Sequence, residues 1–493
     1  MDVRKRAAAA VSAVAVLGVF FLSCRSQTPD QTGLDLGSFS IIKEIAEKKD
    51  SPFYVDFSSY PDEKAELPIG VFDSGTGGLT VLDAVLKLDK FNNQDHSCGP
   101  DGIPDFQSEK FIFLADSANL PYGRYGAEDK ADFLRELIIK NVGFLLGSRY
   151  YLHPEEDSLQ TSKPPVKAVV IACNTATAYG LDLIRRCLGK WDLDIPVIGI
   201  VEAGAKAAAG LIPPDDRNSI IAVFATQGTV DSGGYQRALA GQLRKRGMEE
   251  TRVVLQAGFG LAAAVDGDPA YIDPDAGHVR GDMYQGPSLG HSVYPILPEL
   301  WEEYHFEPEG LLISRDDAGN IVSVELNSVV NYIRYYVTHL VEKSRRKYPG
   351  HILRVAVLGC THYPFFQDEF KEHFRYLSQL NPGTAGFIAR EIHFVDPAES
   401  EAEELYLKLV ENNSFGSSSN AESEFFVSLP NPRLPQNQID ELGNFPLEYK
   451  YGRDVNQSAE FVKRVPLSPQ WISSEALERI RLKMPDIYKY IMK

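Results

Sequence analysis

The chain has 493 residues, of which 44% are hydrophobic, and it carries a formal net charge of −18 at pH 7. Its length is enough for two or three domains with buried cores. The negative charge excludes broad electrostatic binding to nucleic acids and to anionic membrane surfaces. The basic run at residues 343–347 is expected to be the solvated last turn of a helix, where it complements the helix dipole.

The first 24 residues have the layout of an export signal. Residues 4–6 are positively charged, residues 7–22 are uncharged and mostly apolar, and Cys24 follows two positions later. This layout resembles a bacterial lipoprotein signal, in which the cysteine becomes the lipidated first residue of the mature chain. We therefore expect residues 1–24 to act as a signal peptide and Cys24 to be lipidated, with the rest of the chain tethered outside the cytoplasm.

Two alternatives to a lipoprotein signal stay open. Phe21 stands three residues before the cysteine, where the lipoprotein pattern usually has Leu. The first alternative is an uncleaved membrane anchor, because the segment is near the lower limit of about 17 residues for a spanning helix. The second is a later translation start and a cytoplasmic protein. Such a start needs a codon other than Met, since the next methionine is Met248 and a start there removes half of the chain.

The chain after the signal predicts a spacer, then a strand, a glycine-rich turn and a helix. Residues 25–65 are polar and irregular apart from a possible short helix at 39–49, which is typical of a spacer. Residues 67–72 predict a buried strand, residues 73–78 read Asp-Ser-Gly-Thr-Gly-Gly, and residues 79–88 predict a helix. A glycine turn before a helix N-terminus favours an anion. No Gly-Lys-Ser/Thr ends the turn, so a small carboxylate is favoured over a nucleotide.

Residues 91–108 are expected to be an inserted loop. Asp95, Asp101 and Asp105 offer oxygen ligands, and Gly102 offers a turn of the kind found in some calcium-binding loops. The alternative is an acidic loop in contact with solvent.

Apolar strands alternate with amphipathic helices along the remaining chain. Strands are predicted at 110–114, 167–172, 195–200, 219–224, 252–256, 355–358, 392–395 and 425–427, and helices at 130–146, 176–188, 234–245, 326–346 and 473–484. Residues 266–320 are rich in Asp, Gly and Pro and are expected to be an insertion. The alternation predicts α/β domains with doubly wound, mainly parallel sheets.

The expected organisation therefore has two α/β units. Its parts are the signal at 1–24, the spacer at 25–65, a first domain at 66–205 completed by 386–465, a second domain at 206–385 that contains the insertion, and a C-terminal helical extension at 466–493.

Cys173 and Cys360 each end an apolar strand, and His362 lies two positions after Cys360. Strand ends are where α/β proteins carry their chemistry, so both thiols are candidate nucleophiles or bases. Four cysteines besides Cys24 would allow disulfides in an oxidising compartment. We instead interpret Cys187 as a buried helix residue and Cys98 as part of a polar loop.

Together these segments resemble glutamate racemases, which are cofactor-independent members of the aspartate/glutamate racemase superfamily. The matching stretches follow the order of that family: 69–79, 115–123, 171–177, 196–204, 225–235 and 357–364, with a weaker match at 395–402. The resemblance implies two pseudo-symmetric, doubly wound α/β domains with the active site between them.

The resemblance also implies a two-base mechanism without a cofactor or a metal. Such racemisation removes the Cα proton on one face and returns a proton on the other, so two bases must flank the carbon. By resemblance, Cys173 is the base for the D-enantiomer with help from Asp73, and Cys360 is the base for the L-enantiomer with help from His362. The implied substrate contacts are Asp73, Ser74, Pro121, Tyr122, Gly123, Asn174, Thr175, Thr226, Thr229, Thr361 and His362.

The sequence departs from the family pattern in three places. Ser117 replaces the usual Asn of an Ala-Asp-Asn segment. Residues 257–266 replace a Pro-Leu-Phe-Val-Pro-Leu-Val-Glu pattern, which predicts a larger pocket or a different side-chain specificity. The export signal is the third departure, because the family makes D-glutamate for peptidoglycan precursors in the cytoplasm.

The expected function is thus the interconversion of L- and D-glutamate. The expected partners are glutamate and, through the N-terminal segment, a membrane, but not nucleic acid; a homodimer is left open. Two alternatives remain: a lipid-anchored amino-acid-binding protein without turnover, and a racemase or isomerase of another small amino or dicarboxylic acid such as aspartate.

Overall fold

The computed structural model describes residues 34–380, 382–417, 422–441, 443–457 and 460–492, so the predicted signal and Cys24 lie outside the described residues. Within these ranges the strands are β1 (Ile69–Asp73), β2 (Phe111–Ala115), β3 (Ala168–Ile171), β4 (Val197–Gly199), β5 (Ser219–Ala225), β6 (Arg252–Ala257), β7 (Leu311–Arg315), β8 (Ile321–Leu326), β9 (Ile352–Gly359), β10 (Ile388–Val395), β11 (Glu424–Pro430) and β12 (Val462–Pro466).

The α-helices of the same ranges are α1 (Ser40–Glu47), α2 (Leu79–Lys87), α3 (Gly123–Ala127), α4 (Ala131–Leu146), α5 (Asn174–Lys190), α6 (Ile200–Gly210), α7 (Gln227–Asp231), α8 (Gly234–Lys245), α9 (Leu261–Val265), α10 (Trp301–Tyr304), α11 (Val329–Lys347), α12 (Gln367–Leu380), α13 (Pro382–Ala385), α14 (Pro397–Glu411), α15 (Leu447–Gly452), α16 (Ser474–Lys483) and α17 (Pro485–Ile491). No helix of the described chain is long and apolar enough to cross a bilayer.

Two mainly parallel sheets form the framework. The first has the strand order β12-β11-β2-β1-β3-β4, and only β12 runs antiparallel to its neighbour. The second has the order β10-β9-β5-β6 and is parallel throughout. The α/β class with parallel sheets in two domains, predicted from the alternating strands and helices, is confirmed.

The two sheets repeat one topology. In the first sheet the strands β2-β1-β3-β4 stand in the same order as β6-β5-β9-β10 in the second. Cys173 therefore follows the third strand of its unit, as Cys360 follows the third strand of the other. Because the strands of each sheet are parallel, their carboxyl ends lie along one edge, where α/β folds bind ligands.

Strand residues are buried on both faces of each sheet, which explains their nearly continuous apolar runs. In β1, for example, Ile69 and Val71 point to one core and Phe72 points to another, as the period of two requires. One core joins both sheets through α2, α6, α8 and α14. The outer face of the first sheet is covered by α4 and α5, and that of the second by α11 and α12.

The predicted return to the first domain at residue 386 is wrong. The strand predicted at 392–395 is the end of β10, which pairs with β9 in the second sheet, with Val395 opposite Val357. The chain therefore returns to the first sheet only after Val395, through α14 and β11. Apolar periodicity located this strand but could not say which sheet it joins.

The predicted spacer at 25–65 is also not a spacer in the part that the structure describes. Ile41, Ile42 and Ile45 of α1 are buried in the core of the first domain. Ile45 packs so closely on α4 that a Cβ on Gly143 would lie 2.7 Å from its Cδ1. These three isoleucines share one face of a helix, so α1 behaves as an ordinary amphipathic helix of the domain.

The two insertions have structural contacts of their own. In the 91–108 loop the carboxylates accept hydrogen bonds from backbone N–H groups. Asp105 accepts bonds from Lys90 and Phe91, and Asp101 accepts one from Asn93. Among the described residues no cluster of His, Cys, Asp and Glu side chains is arranged to hold a metal ion. The last strand of the 266–320 insertion is β7, which pairs antiparallel with β8 directly after the insertion.

Replacing Ile45 by Ala should lower the free energy of unfolding by about 2–4 kcal/mol, because it removes a fully buried side chain and leaves a cavity against α4. Urea unfolding followed by circular dichroism measures the change. The matched control is Lys43→Ala in the same helix, where Lys43 is exposed and the change should stay within about 0.5 kcal/mol. Equal stabilities for Ile45→Ala and the wild type would show that α1 does not belong to the cooperative core.

Candidate active site

A cavity of about 620 Å³ lies between the carboxyl ends of β1 and β3 in one sheet and of β5 and β9 in the other. Both predicted catalytic thiols line it, together with every predicted substrate contact. These residues are Asp73, Ser74, Pro121, Tyr122, Gly123, Cys173, Asn174, Thr175, Thr226, Thr229, Cys360, Thr361 and His362. The structure thus brings the predicted residues to one place, while the role of each stays a prediction.

Cys173 follows β3 and caps the N-terminus of α5. Its Sγ accepts an N–H bond from Ala176 at 3.4 Å and lies 3.7 Å from Ser74 Oγ. Burial and, to a lesser extent, the carboxylate of Asp73 raise the pKa of Cys173 to about 12. Without ligand, Cys173 is therefore a neutral thiol at neutral pH and can act as a proton donor.

Asp73 ends β1 and lies buried beneath the glycine turn. Its Oδ2 accepts N–H bonds from Gly78 at 2.7 Å and from Gly75 at 3.3 Å. Burial raises the pKa of Asp73, and its hydrogen bonds offset this only in part, so the pKa stays above its ordinary value. Two N–H groups of the predicted anion-binding turn therefore serve the protein's own carboxylate.

Cys360 follows β9 on the opposite wall of the cavity. Its Sγ lies 3.5 Å from His362 Nδ1, and His362 Nε2 lies 3.1 Å from Asp266 Oδ1. Burial lowers the pKa of His362, but the bonds to Asp266 and Cys360 outweigh it and raise the pKa to about 10. At neutral pH the imidazole is therefore protonated and places a positive charge next to the Cys360 sulfur.

Direct backbone contact brings the two walls together. A Cβ on Gly228, in α7, would lie only 2.4 Å from the Cα of Gly123, in α3 of the first domain. A side chain at Gly228 would therefore push the domains apart. Tyr235 of α8 adds a polar contact between the domains, because its hydroxyl donates to Asn174 Oδ1 at 3.0 Å.

Tyr122 is held by a buried polar network at the edge of the cavity. Its hydroxyl donates to Asp116 and accepts a bond from Asn141 Nδ2 at 2.8 Å. Asp116 also accepts bonds from Asn119 Nδ2 at 2.9 Å and Ser428 Oγ at 2.6 Å. The Tyr122 hydroxyl thus fixes the loop at 117–123, and Tyr122 also lines the cavity.

Three charged residues that line the cavity were missed by the sequence reasoning: Asp266, Asp268 and Arg479. Asp266 and Arg479 both line the cavity, and Arg479 Nη1 lies 2.5 Å from Asp266 Oδ1. Burial raises the pKa of Asp266, but the bonds to His362 and Arg479 bring it below its ordinary value. The acidic end of the family pattern at 257–266 was an available signal for Asp266, whereas no sequence signal points to Arg479.

The site can move protons on both sides of one carbon atom. A substrate between Cys173 and Cys360 has a thiol on either side, one next to a carboxylate and the other next to an imidazolium. One sulfur can accept a proton while the other delivers one. The fold and the site together define an α/β protein equipped for two-base proton transfer.

The amino-acid sequence is similar to those of known racemases. Residues 153–266 match the Asp/Glu/Hydantoin racemase family. A glutamate racemase from Ralstonia nicotianae is 27% identical over 309 residues, which cover 63% of this chain and 70% of the relative. One from Thermus thermophilus is 35% identical over 176 residues, which cover 36% of this chain and 49% of the relative. The chain is thus similar in sequence to glutamate racemases over part of its length.

Two solved structures of glutamate racemases align with part of the chain. A glutamate racemase isoform from Bacillus anthracis aligns with a TM-score of 0.44 at 21% identity, over 74% of this chain and 89% of that chain. The glutamate racemase from Francisella tularensis, solved with D-glutamate, aligns with a TM-score of 0.40 at 18% identity, over 80% of this chain and 96% of that chain.

Alkylation of Cys173 by iodoacetamide should keep accelerating with pH up to at least pH 10, because only the thiolate reacts and its pKa is about 12. Replacing Asp73 by Asn removes the second cause of the raised pKa, so alkylation at pH 8 should become at least about 3-fold faster. Peptide mass spectrometry of the ligand-free protein measures the rate at each cysteine.

Asp368→Asn is the control for this experiment, since the Asp368 side chain is almost fully exposed on α12. In Asp368→Asn, iodoacetamide should alkylate Cys173 at the same rate as in the wild type. Exposed Cys98 serves as an internal standard in every sample. A Cys173 rate that levels off near pH 8.5, or one that is unchanged in Asp73→Asn, contradicts the assignment.

Proposed function

We infer that the protein is an amino-acid racemase that interconverts L- and D-glutamate by proton transfer at Cα between two thiols. The observation that carries this inference is the pair Cys173 and Cys360, which line one cavity from two different sheets. Binding of an amino acid needs no proton acceptor on each wall, whereas inversion at Cα does. Similarity to glutamate racemases indicates which amino acid is inverted.

The neutral Cys173 thiol of the ligand-free site suits the reaction from L- to D-glutamate. In that reaction the Cys360 sulfur, next to the protonated imidazole of His362, accepts the Cα proton of the L-enantiomer from one face. Cys173, a neutral thiol, donates its proton to the opposite face. The products are D-glutamate, a Cys360 thiol and a Cys173 thiolate, so no proton or charge is lost.

The partners of the thiols then restore the starting state. Asp73 has a pKa raised by burial, so it can hold a proton beside Cys173 and pass it to the new thiolate. Cys360 releases the proton that it accepted to solvent, because the imidazole of His362 is already protonated, and solvent returns a proton to Asp73. The reverse reaction begins from the other protonation state of the pair, which is why each thiol has an acid–base partner of its own.

The remaining cavity residues suit an amino acid with two carboxylates. Ser74, Thr175 and Thr226 present hydroxyl groups, and the N-terminus of α5 presents backbone N–H groups. Hydrogen bonds to the α-carboxylate stabilise the negative charge that develops when the Cα proton leaves. The two sulfurs supply both base positions, so this chemistry requires neither pyridoxal phosphate nor a metal.

Replacing either catalytic cysteine by Ser should reduce racemisation of glutamate by at least about 100-fold, because a serine hydroxyl is a far weaker acid than a thiol. The reaction is run in D₂O with each enantiomer, and both optical rotation and deuterium at Cα are measured. The wild type should place deuterium in the newly formed enantiomer.

Cys98→Ser is the matched control, since Cys98 is an exposed thiol remote from the cavity. Its rates should equal those of the wild type. A panel of L-amino acids that includes aspartate and glutamine tests the substrate. Wild-type rates in Cys173→Ser or Cys360→Ser disprove the two-thiol mechanism, and exchange with another amino acid but not with glutamate disproves the substrate.

We also propose that the protein is exported and held at the cell envelope by a lipid on Cys24, where its D-glutamate serves peptidoglycan. This proposal rests on the charged, apolar and cysteine-containing segment at residues 1–24. A homodimer stays a prediction.

Lipidation can be tested by expressing the full chain in a bacterium fed a clickable fatty acid. The wild type should take up the label and sediment with membranes, and Cys24→Ala should lose the label. Cys98→Ala is the control and should be labelled like the wild type. Absence of label from the wild type, or equal labelling of Cys24→Ala, rules out a lipid on Cys24.

A further inference from the structure

The C-terminal helix α16 delivers an arginine into the cavity. Ile480 and Met484 beside it are buried in the core that joins the two sheets, and Tyr490 of α17 stacks on Phe425 of β11 with ring centroids 5.6 Å apart. These contacts fix α16 to the first domain. Arg479, on the opposite side of this anchor, reaches the cavity wall with only 23% of its side chain exposed.

Arg479 changes the charge of the cavity. Among the described residues that line it, Arg479 is the sole lysine or arginine, whereas Asp73, Asp266 and Asp268 bring three carboxylates. A substrate with two carboxylates and one ammonium group adds a further net negative charge. The protonated imidazole of His362 is a second cation of this wall, and without Arg479 it alone would face these carboxylates and the negative charge of the substrate.

The guanidinium has donors to spare for a ligand. Its contact with Asp266 is made by Nη1, while an arginine side chain has five N–H donors in a planar fork. Such a fork matches the geometry of a carboxylate and binds it by two parallel hydrogen bonds. The Asp266 contact therefore aims the guanidinium and leaves other donors for a second carboxylate.

We propose that Arg479 is a substrate-binding residue that holds a carboxylate of the amino acid and selects for acidic substrates, which rests on the proposed function of the cavity. The carboxylate lies next to Asp266 and His362, on the Cys360 side. The C-terminal extension is then a part of the active site rather than an appendage.

A purely positioning role would leave a different signature. If Arg479 acted only by orienting Asp266 and so His362, its loss would lower kcat and shift the pH dependence of the rate while KM stayed constant. If Arg479 binds substrate, its loss raises KM and weakens ligand binding. The two roles are therefore separated by steady-state kinetics.

The test replaces Arg479 by Met, which keeps the length and apolar stem but removes charge and donors. Arg479→Met should raise KM for both enantiomers of glutamate at least about 10-fold and change kcat less than about 3-fold. Arg479→Lys keeps the charge without the planar fork, so its KM should lie between the KM of the wild type and that of Arg479→Met. Arg481→Met is the matched control on the same helix, because Arg481 is exposed, pairs with Glu478 and is absent from the cavity wall.

A comparison of substrates identifies the carboxylate. Cα exchange in D₂O is followed for glutamate and for glutamine, whose side chain is neutral. A rise of KM in Arg479→Met for glutamate alone assigns Arg479 to the side-chain carboxylate and supports the selection for acidic substrates. An equal rise of KM for both substrates assigns Arg479 to the α-carboxylate and overturns that selection. An unchanged KM for both, or a change confined to kcat and its pH profile, overturns the proposal.

Calorimetry with D-glutamate gives a readout that does not depend on turnover. The wild type should bind at least about 10-fold more tightly than Arg479→Met, even if neither protein racemises the ligand. Binding without racemisation would disprove the proposed function and leave the role of Arg479 standing. Equal affinities, or no binding by the wild type, overturn the role of Arg479 whatever the exchange assay shows.

Discussion

The site depends on the approach of two backbones at Gly123 and Gly228. A Cβ on Gly228 would lie 2.4 Å from the Cα of Gly123, well inside the distance at which carbon atoms meet. This contact brings the carboxyl edge of one parallel sheet to the carboxyl edge of the other, so that Cys173 and Cys360 face one cavity. Each sheet alone carries half of a proton-transfer site, and the contact between the two glycines brings both halves into one cavity.

A repeated topology carries two unlike chemical environments. Cys173 lies beside a buried carboxylate, and its pKa is raised, so it rests as a thiol. Cys360 lies beside an imidazole whose pKa is raised by Asp266, so a positive charge faces its sulfur. Inversion at Cα requires that one thiol donates a proton while the other accepts one. Two identical half-sites would not determine which cysteine is the donor and which is the acceptor. The difference between Asp73 and His362 supplies that asymmetry.

Local sequence patterns located most of this site because its residues follow strands. The strand predicted at 67–72 is β1 at Ile69–Asp73, and the parallel order of the sheet then places Asp73 near Cys173. Such patterns do not state which surfaces meet. The 392–395 strand was therefore given to the wrong domain, and α1 was taken for part of a spacer although its isoleucines are buried.

Arg479 shows the same limit at the level of the site. On α16 it stands among exposed charged residues, and its neighbour Arg481 has the usual partner, a glutamate three positions away. Only the packing of α16 and α17 on the first domain turns Arg479 toward Asp266, a residue distant in sequence.

The Arg479–Asp266 contact also bears on how the cavity opens. α16 is fixed to the first domain through the contact of α17 with α2 and β11, whereas Asp266 follows α9 on the second domain. Any separation of the domains that admits substrate must therefore part this ion pair as well as the two glycines. With the domains together, Asp266 contacts both His362 and Arg479, so the residue that keeps the positive charge next to Cys360 also aims the guanidinium.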